Sequence, residues 1–159
     1  MRKIYIETSV VSYLTSDISD NIRIAGRQIS TKEMWMNLPL YEVFISDSVI
    51  AEASKGNQSQ ANLRLEAIRD FHLLEVDRST KELAKLLLYE EAIPQKYPED
   101  AIHIAVSAVN KIEFIITWNF KHINNPFLKN KIRSSIENAG YKCPEICSPE
   151  EFLLGESNG

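Results

Sequence analysis

Residues 98–124 read PEDAIHIAVSAVNKIEFIITWNFKHIN and spell out a helix, a strand and a loop. Pro98 suits the first helical position, where its missing N–H would be unpaired in any case, and Glu99 and Asp100 fall in the positively polarised first turn. Ala101, Ile102, Ile104, Ala105, Ala108 and Val109 recur at steps of three and four, an apolar face of mostly small side chains that can lie close against a sheet. Asn110 and Lys111 break the pattern. Glu113 to Thr117 is a short run of β-branched and aromatic residues, the composition of a strand buried on both faces. A helix followed by a buried strand is half of an α/β unit, and open parallel sheets take their ligands beyond the carboxyl ends of the strands. Asn119 and His122 fall at that edge, and Asp100 joins them if its helix starts there.

Upstream, Lys3 to Ile6 is a short apolar strand that ends in Glu7, Thr8 and Ser9 before a second apolar run, Val10 to Leu14. Thr8 or Ser9 suits a helix cap there. Glu7 reads either as a first-turn acid favoured by the helix dipole or as a carboxylate at a strand end, where an α/β sheet does its chemistry. Ile24 to Leu38 has helical spacing and Pro39 ends it; its apolar stripe fits a core face, with a partner surface as the alternative. Tyr41 to Ile45 is the second strand, and Ser46 or Asp47 then caps a short helix stopped by Gly56. Glu52 lies on that helix among Ala51, Ala53 and Ser54. It is either a surface acid near Lys55 or, given its small neighbours, a carboxylate carried over the sheet edge.

Gln58 to Phe71 is an amphipathic helix, His72 to Val76 a third strand and Ser79 to Ala92 a further helix broken by Pro94. Beyond the central stretch, Pro126 to Ala139 is helical and carries Lys129, Lys131 and Arg133, with Gly140 as its stop. Tyr141 to Cys147 adds a last strand, and S-P-E-E from Ser148 opens a short helix. The chain divides into one domain, residues 1–154, and a frayed tail, residues 155–159.

The chain has 159 residues, 44% of them hydrophobic, enough for one core and too few for two comfortable domains. With 18 basic against 22 acidic side chains, a formal charge of −4, there is no broad cationic surface to bind nucleic acid by charge alone. Cys143 and Cys147 have no second pair to complete a zinc site, and a reduced, cytoplasmic chain accounts for them most simply. No signal-peptide pattern or membrane-length apolar run is present. The five glycines build neither a phosphate-cradling loop nor a dinucleotide fingerprint.

Three carboxylates therefore occupy comparable topological places: Glu7 after strand one, Glu52 in the helix after strand two, and Asp100 opening the helix before strand four. Asn119 follows strand four. Gathered like charges raise one another's pKa, and a hard cation such as Mg2+ or Mn2+, which takes oxygen ligands, is the natural reason for bringing them together. Its chemistry would be hydrolysis of a phosphodiester. A metal-independent acid–base route through His122 and another histidine is the other way these residues could cleave a phosphodiester.

YIETSVVSYL, SDSVIAEASKG and PEDAIHIAVSAVN followed by FIITWNFKHI, in that order, resemble the PIN-domain family, in particular the VapC-like toxins of toxin–antitoxin systems. The likeness runs from Arg2 to about Phe152. It implies a three-layer α/β/α fold with a parallel sheet of about five strands, doubly wound in kind. It implies a Mg2+- or Mn2+-dependent ribonuclease, often homodimeric and often held by an antitoxin encoded beside it. Glu7, Glu52 and Asp100 match the family's first three acids, the metal ligands, and Asn119 the position where a fourth acid is common. Thr8 or Ser9 and Thr117 match the hydroxyls that support those acids. Lys121, His122, Lys129, Lys131 and Arg133 are the candidate RNA contacts. Two residues depart from the pattern: Glu7 is one methylene longer than the usual Asp, and Asn119 is neutral. The missing charge at Asn119 weakens a second metal position more than the first, so a PIN-like module that binds RNA or a protein without cleaving is the second reading.

Overall fold

The computed structural model describes the backbone of residues 1–158 and the side chains of residues 1–156. The chain starts in the middle of its sheet. β1 (Lys3–Ile6) pairs in parallel with β2 (Glu42–Ser46) on one side and β4 (Phe114–Ile116) on the other; β3 (His72–Leu74) and β5 (Glu145–Cys147) form the edges, in the order β3-β2-β1-β4-β5. Ile4, Tyr5, Ile6, Ile115 and Ile116 are fully buried, as central parallel strands covered on both faces require.

Among the described residues eight α-helices cover the sheet: α1 (Thr8–Thr15), α2 (Ile22–Met36), α3 (Asp47–Ala53), α4 (Gln58–Ile68), α5 (Arg78–Tyr89), α6 (Pro98–Val109), α7 (Lys129–Asn138) and α8 (Pro149–Asn158). Helix α1 packs on α2 and α4, and α2 on α8, while α5 packs on α6 and α7. The first set lies mostly on the connections that step from β1 out to β3, the second on those that cross back from β3 to β4 and on to β5. With the right-handed crossovers that parallel strands require, opposite directions of travel put the two sets on opposite faces, which makes the three layers. The short helix α3 stands at the carboxyl end of the sheet and touches both α4 and α6. The small residues of α6 allow it to lie flat: Ala101, Ile104, Ala105 and Val106 are all fully buried, and cutting Ile104 back to alanine would cost about 2–5 kcal/mol.

Several boundaries differ from the sequence reading. Helix α2 starts at Ile22 because the Asn21 side chain accepts from the Ile24 N–H. Helix α5 starts at Arg78, capped by Asp77 on the Thr80 N–H. Helix α7 starts only at Lys129, since the chain before it is held in turns by Asn125, which accepts from the Phe127 N–H. Strand β5 covers three residues, not seven, because its pairing is confined to Phe114–Ile116 and Pro144 has no N–H to extend it. Helix α8 continues to Asn158, past the point where fraying was expected; the Asn37 amide and the Tyr41 hydroxyl both donate to Glu156 and tie its last turns down. Gly159 lies outside the described residues. The left-handed stops at Gly56 (φ 82°) and Gly140 (φ 92°) are where glycine is favoured.

Candidate active site

The chain runs outward from β1 in both directions, so the crevice between β1 and β4 is the topological switch point of the sheet. The register aligns Ile6 with Ile116, and the next residues, Glu7 and Thr117, leave the two strands side by side. Glu7 is 5% exposed. Neither Thr8 nor Ser9 caps α1: Glu7 does so itself, its Oε2 accepting from the Ser9 N–H at 3.0 Å. The two readings of Glu7 therefore hold together, since the cap is also the strand-end carboxylate. Its Oε1 accepts from the Ser9 hydroxyl and the Thr117 hydroxyl, each at 2.5 Å. Those hydroxyls are fixed in turn by backbone donors, Trp118 N–H to Ser9 Oγ and Asn119 N–H to Thr117 Oγ1, both at 2.9 Å.

Glu52, on the last turn of α3, comes over the same edge. Its Oε1 accepts from the Thr8 hydroxyl at 2.8 Å and meets His103 Nε2 at 2.6 Å. Its Oε2 takes no hydrogen bond from any described residue. His103 Nδ1 lies 2.6 Å from the Tyr5 hydroxyl, which lies 2.8 Å from Ser46 Oγ. Ser46 is the N-cap position of α3 but spends its hydroxyl on Tyr5 rather than on the helix. Neutral His103 donates from Nε2 to Glu52 and accepts from Tyr5; the charged ring donates to both, and Tyr5 then donates to Ser46. Burial holds Tyr5 well above its usual pKa, so the phenol stays protonated.

Asp100, in the first turn of α6, is held differently. Its Oδ2 pairs with His122 Nδ1 at 2.9 Å and its Oδ1 accepts from the Asn119 amide at 3.2 Å. The Asn119 carbonyl is also engaged, by the His122 N–H at 3.0 Å. Tyr97 stacks on the His122 ring with centroids 3.8 Å apart.

Glu7, Glu52 and His103 each offer a ligand atom, all within 4.8 Å of one another, whereas Asp100 stands outside that group. Both ring nitrogens of His103 are already engaged, so in this arrangement it holds Glu52 rather than a metal. Among the described residues no lysine or arginine ion-pairs with Glu7, Glu52 or Asp100. Clustered carboxylates with free oxygen capacity and no cationic side chain between them fit a hard divalent cation.

The electrostatics separate the acids. Burial works to raise the Glu52 pKa, but the His103 hydrogen bond and charge, with the Thr8 hydroxyl and Lys55, outweigh it and the net shift is downward. Burial raises the Asp100 pKa; the His122 bond opposes this, the Glu7 charge adds to it, and the net shift is upward. Burial works to lower His103, but Glu52, Glu7 and Asp100 together raise it.

The candidate RNA contacts are scattered. Lys121 and Lys131 are exposed. Lys129 turns its ammonium to the Ile146 carbonyl at 3.1 Å, and Arg133 pairs with Glu145 and Glu137, so two of the three α7 cations are occupied along β5. His72 lies on the edge strand against Phe44, and His103 is sealed from solvent, which leaves His122 without a histidine partner for metal-free catalysis. Burial pushes the Cys143 and Cys147 thiols up to about 11 and about 12, so neither is a ready nucleophile. His103 is not among the site residues singled out from the sequence; the signal available was its place one turn after Asp100.

No protein-family model and no curated protein sequence matches the chain. Among solved structures, the chain has the fold of a bacterial PIN-type toxin. One such structure is the Mycobacterium tuberculosis toxin VapC20, described as cleaving the sarcin–ricin loop: 18% identity, a TM-score of 0.58, and coverage of 87% of this chain and 95% of that one. The three-layer α/β/α architecture with its five-stranded parallel sheet is thus the PIN-like fold the motifs imply. No helix among the described residues is long and apolar enough to cross a membrane.

Proposed function

We propose that this protein is a divalent-metal-dependent endoribonuclease of the VapC-like kind, a hydrolase acting on RNA phosphodiester bonds. The observation that carries the reading is the pair Glu7 and Glu52, drawn together at the switch point by hydroxyls and a buried histidine with no lysine or arginine among the described residues ion-paired to either. A toxin described as cleaving the sarcin–ricin loop shares the fold and supports the same assignment.

Glu7 and Glu52 would hold Mg2+ or Mn2+, with Asp100 completing the acidic set, and the bound ion supplies positive charge against the phosphodiester. Ser9 and Thr117 donate to Glu7 Oε1 and leave Oε2 with a single backbone donor. Thr8 and His103 both load Glu52 Oε1, which turns Oε2 toward the ligand. Asp100, its pKa raised and its oxygens steered by His122 and Asn119, is placed to accept a proton or orient water at its carboxylate. Asn119 positions Asp100 by its amide. RNA is the substrate; a cognate antitoxin and a homodimer are the partners the resemblance implies, in a cytoplasmic setting.

The test is cleavage of a mixed single-stranded and structured RNA pool with Mg2+, with Mn2+ and with chelator, beside the Asp100→Ala variant. Metal-dependent cleavage that vanishes in the variant supports the assignment; unchanged cleavage by a folded variant overturns it. The second reading, a PIN-like binding module without turnover, draws on Asn119, whose amide and carbonyl are both engaged and which brings no charge. A metal titration separates the two, since such a module has no need to bind Mg2+ at millimolar concentrations.

A further inference from the structure

The loop after β4 carries a second group of side chains that the acidic centre does not use. Trp118 and Phe120 flank Asn119 in sequence. The Arg27 guanidinium, from α2, lies over both rings, 5.6 Å from the Trp118 centroid and 5.2 Å from that of Phe120. Trp118 is 6% exposed and pinned by its indole N–H to Thr31 Oγ1 at 2.8 Å, with Tyr13 against its ring. Phe120, edge-on to Trp118, is 40% exposed. Among the described residues no carboxylate ion-pairs with Arg27; its guanidinium donates to the Tyr13 hydroxyl at 3.4 Å.

This group is tied to the acids through short bonds. The Trp118 N–H donates to Ser9 Oγ, which donates to Glu7, and Asn119 donates to Asp100. In a chain of net charge −4, an arginine without an acid beside the catalytic edge leaves a positive charge for a ligand anion. A ring exposed next to a cation is the elementary unit of single-strand binding: the base stacks and the phosphate is neutralised.

Building on the proposed nuclease reading, we propose that Phe120 and Arg27 form a nucleotide subsite beside the acidic centre, Phe120 stacking one unpaired base and Arg27 holding the adjoining phosphate. The subsite selects single-stranded over paired RNA, because a base within a duplex cannot present its face to Phe120.

The test is equilibrium binding of a short fluorescent single-stranded RNA in chelator, where no metal-dependent cleavage intervenes, with a duplex of equal length as control. Phe120→Ala weakens single-strand binding about 5- to 150-fold, Phe120→Tyr restores it, and duplex binding does not change. Arg27→Gln weakens binding and lowers the slope of log Kd against log salt by about 0.7; Arg27→Lys retains most of that slope. Thermal melts of each variant establish that it is folded. Single-strand affinity unchanged in folded Phe120→Ala overturns the subsite and assigns the aromatic group to packing or to a protein partner. Cleavage by the wild type with that unchanged affinity removes the subsite alone. Phe120-dependent binding without cleavage in Mg2+ or Mn2+ removes the nuclease and keeps the subsite; a wild type that neither binds nor cleaves removes both.

Discussion

The site contains two carboxylate–histidine pairs with opposite electrostatics. Glu52 meets His103 at 2.6 Å and its pKa goes down; Asp100 meets His122 at 2.9 Å and its pKa goes up. The Glu52 side chain is 28% exposed and adds the Thr8 hydroxyl and Lys55 to its histidine, while that of Asp100 is 15% exposed and feels the Glu7 charge. Desolvation is the leading cause at both acids, so the balance is decided by what else surrounds the carboxylate. The histidines differ too. His103 is locked inside α6 between Glu52 and Tyr5, a fixed strut; His122 hangs from the loop after β4 and leans on Tyr97. One pair favours the carboxylate anion, and at the other the balance tips toward the protonated acid relative to a free aspartate.

Removing an acid is the harshest way to break this comparison. Asp100→Ala should lower metal-dependent cleavage by at least about 100-fold, and Glu52→Gln should do the same while also weakening Mn2+ binding; single-turnover rates check both. His103→Gln cannot take up the proton that the surrounding carboxylates favour on the ring and cannot bridge Glu52 to Tyr5 as the ring does, so metal affinity should fall about 10- to 100-fold with a smaller loss for Tyr5→Phe, read by calorimetry on the two variants. If His103→Gln binds metal as the wild type does, the strut carries no function.

The pH dependence sharpens the contrast further. Glu52 is lowered from 4.5, so its stabilising share is present above that pH and is lost as pH falls through its folded value. His103 is raised from 6.5, so its share is full below that pH and is lost as pH rises through its folded value. The gap in melting temperature between metal-free wild type and His103→Gln should therefore be widest between pH 4.5 and 6.5 and shrink above. A gap that does not vary with pH contradicts this. Asp100 has the reverse sign: its folded pKa is raised, so keeping it ionised at neutral pH costs stability. Asp100→Asn should raise the metal-free melting temperature by about 2–4 °C, the shift that ~1 kcal/mol gives in a chain of this size; a fall would mean that its bonds to His122 and Asn119 outweigh the buried charge.

Much of the fold was legible in the chain because apolar periodicity and stop signals are local. EFIIT reads as a buried strand and its centre, Phe114–Ile116, is one; Pro98 suits the first position of the helix it opens, and Gly56 and Gly140 mark where helices end. Strand ends were less legible, since β3 and β5 are cut short by how many partners β2 and β4 offer. Glu7 and the hydroxyls of Thr8, Ser9 and Thr117 stood out because they lie at or just past strand ends, and in the structure Thr8, Ser9 and Thr117 each meet a carboxylate. What local pattern could not show was the Tyr5–His103–Glu52 line, assembled from β1, α6 and α3 across nearly a hundred residues of chain, or Arg27 arriving from α2 over Trp118 and Phe120. Conversely, the basic run on α7 looked available for RNA until Lys129 and Arg133 were found engaged along β5.

The most direct measurement is a Mn2+ titration of the wild type beside Glu7→Gln, followed by calorimetry or the electron spin resonance of free Mn2+. Binding at millimolar concentration or tighter in the wild type, lost in a Glu7→Gln variant that still melts cooperatively, is the predicted result. No binding by folded wild type, or equal binding by the variant, would contradict a metal centre built on Glu7 and Glu52.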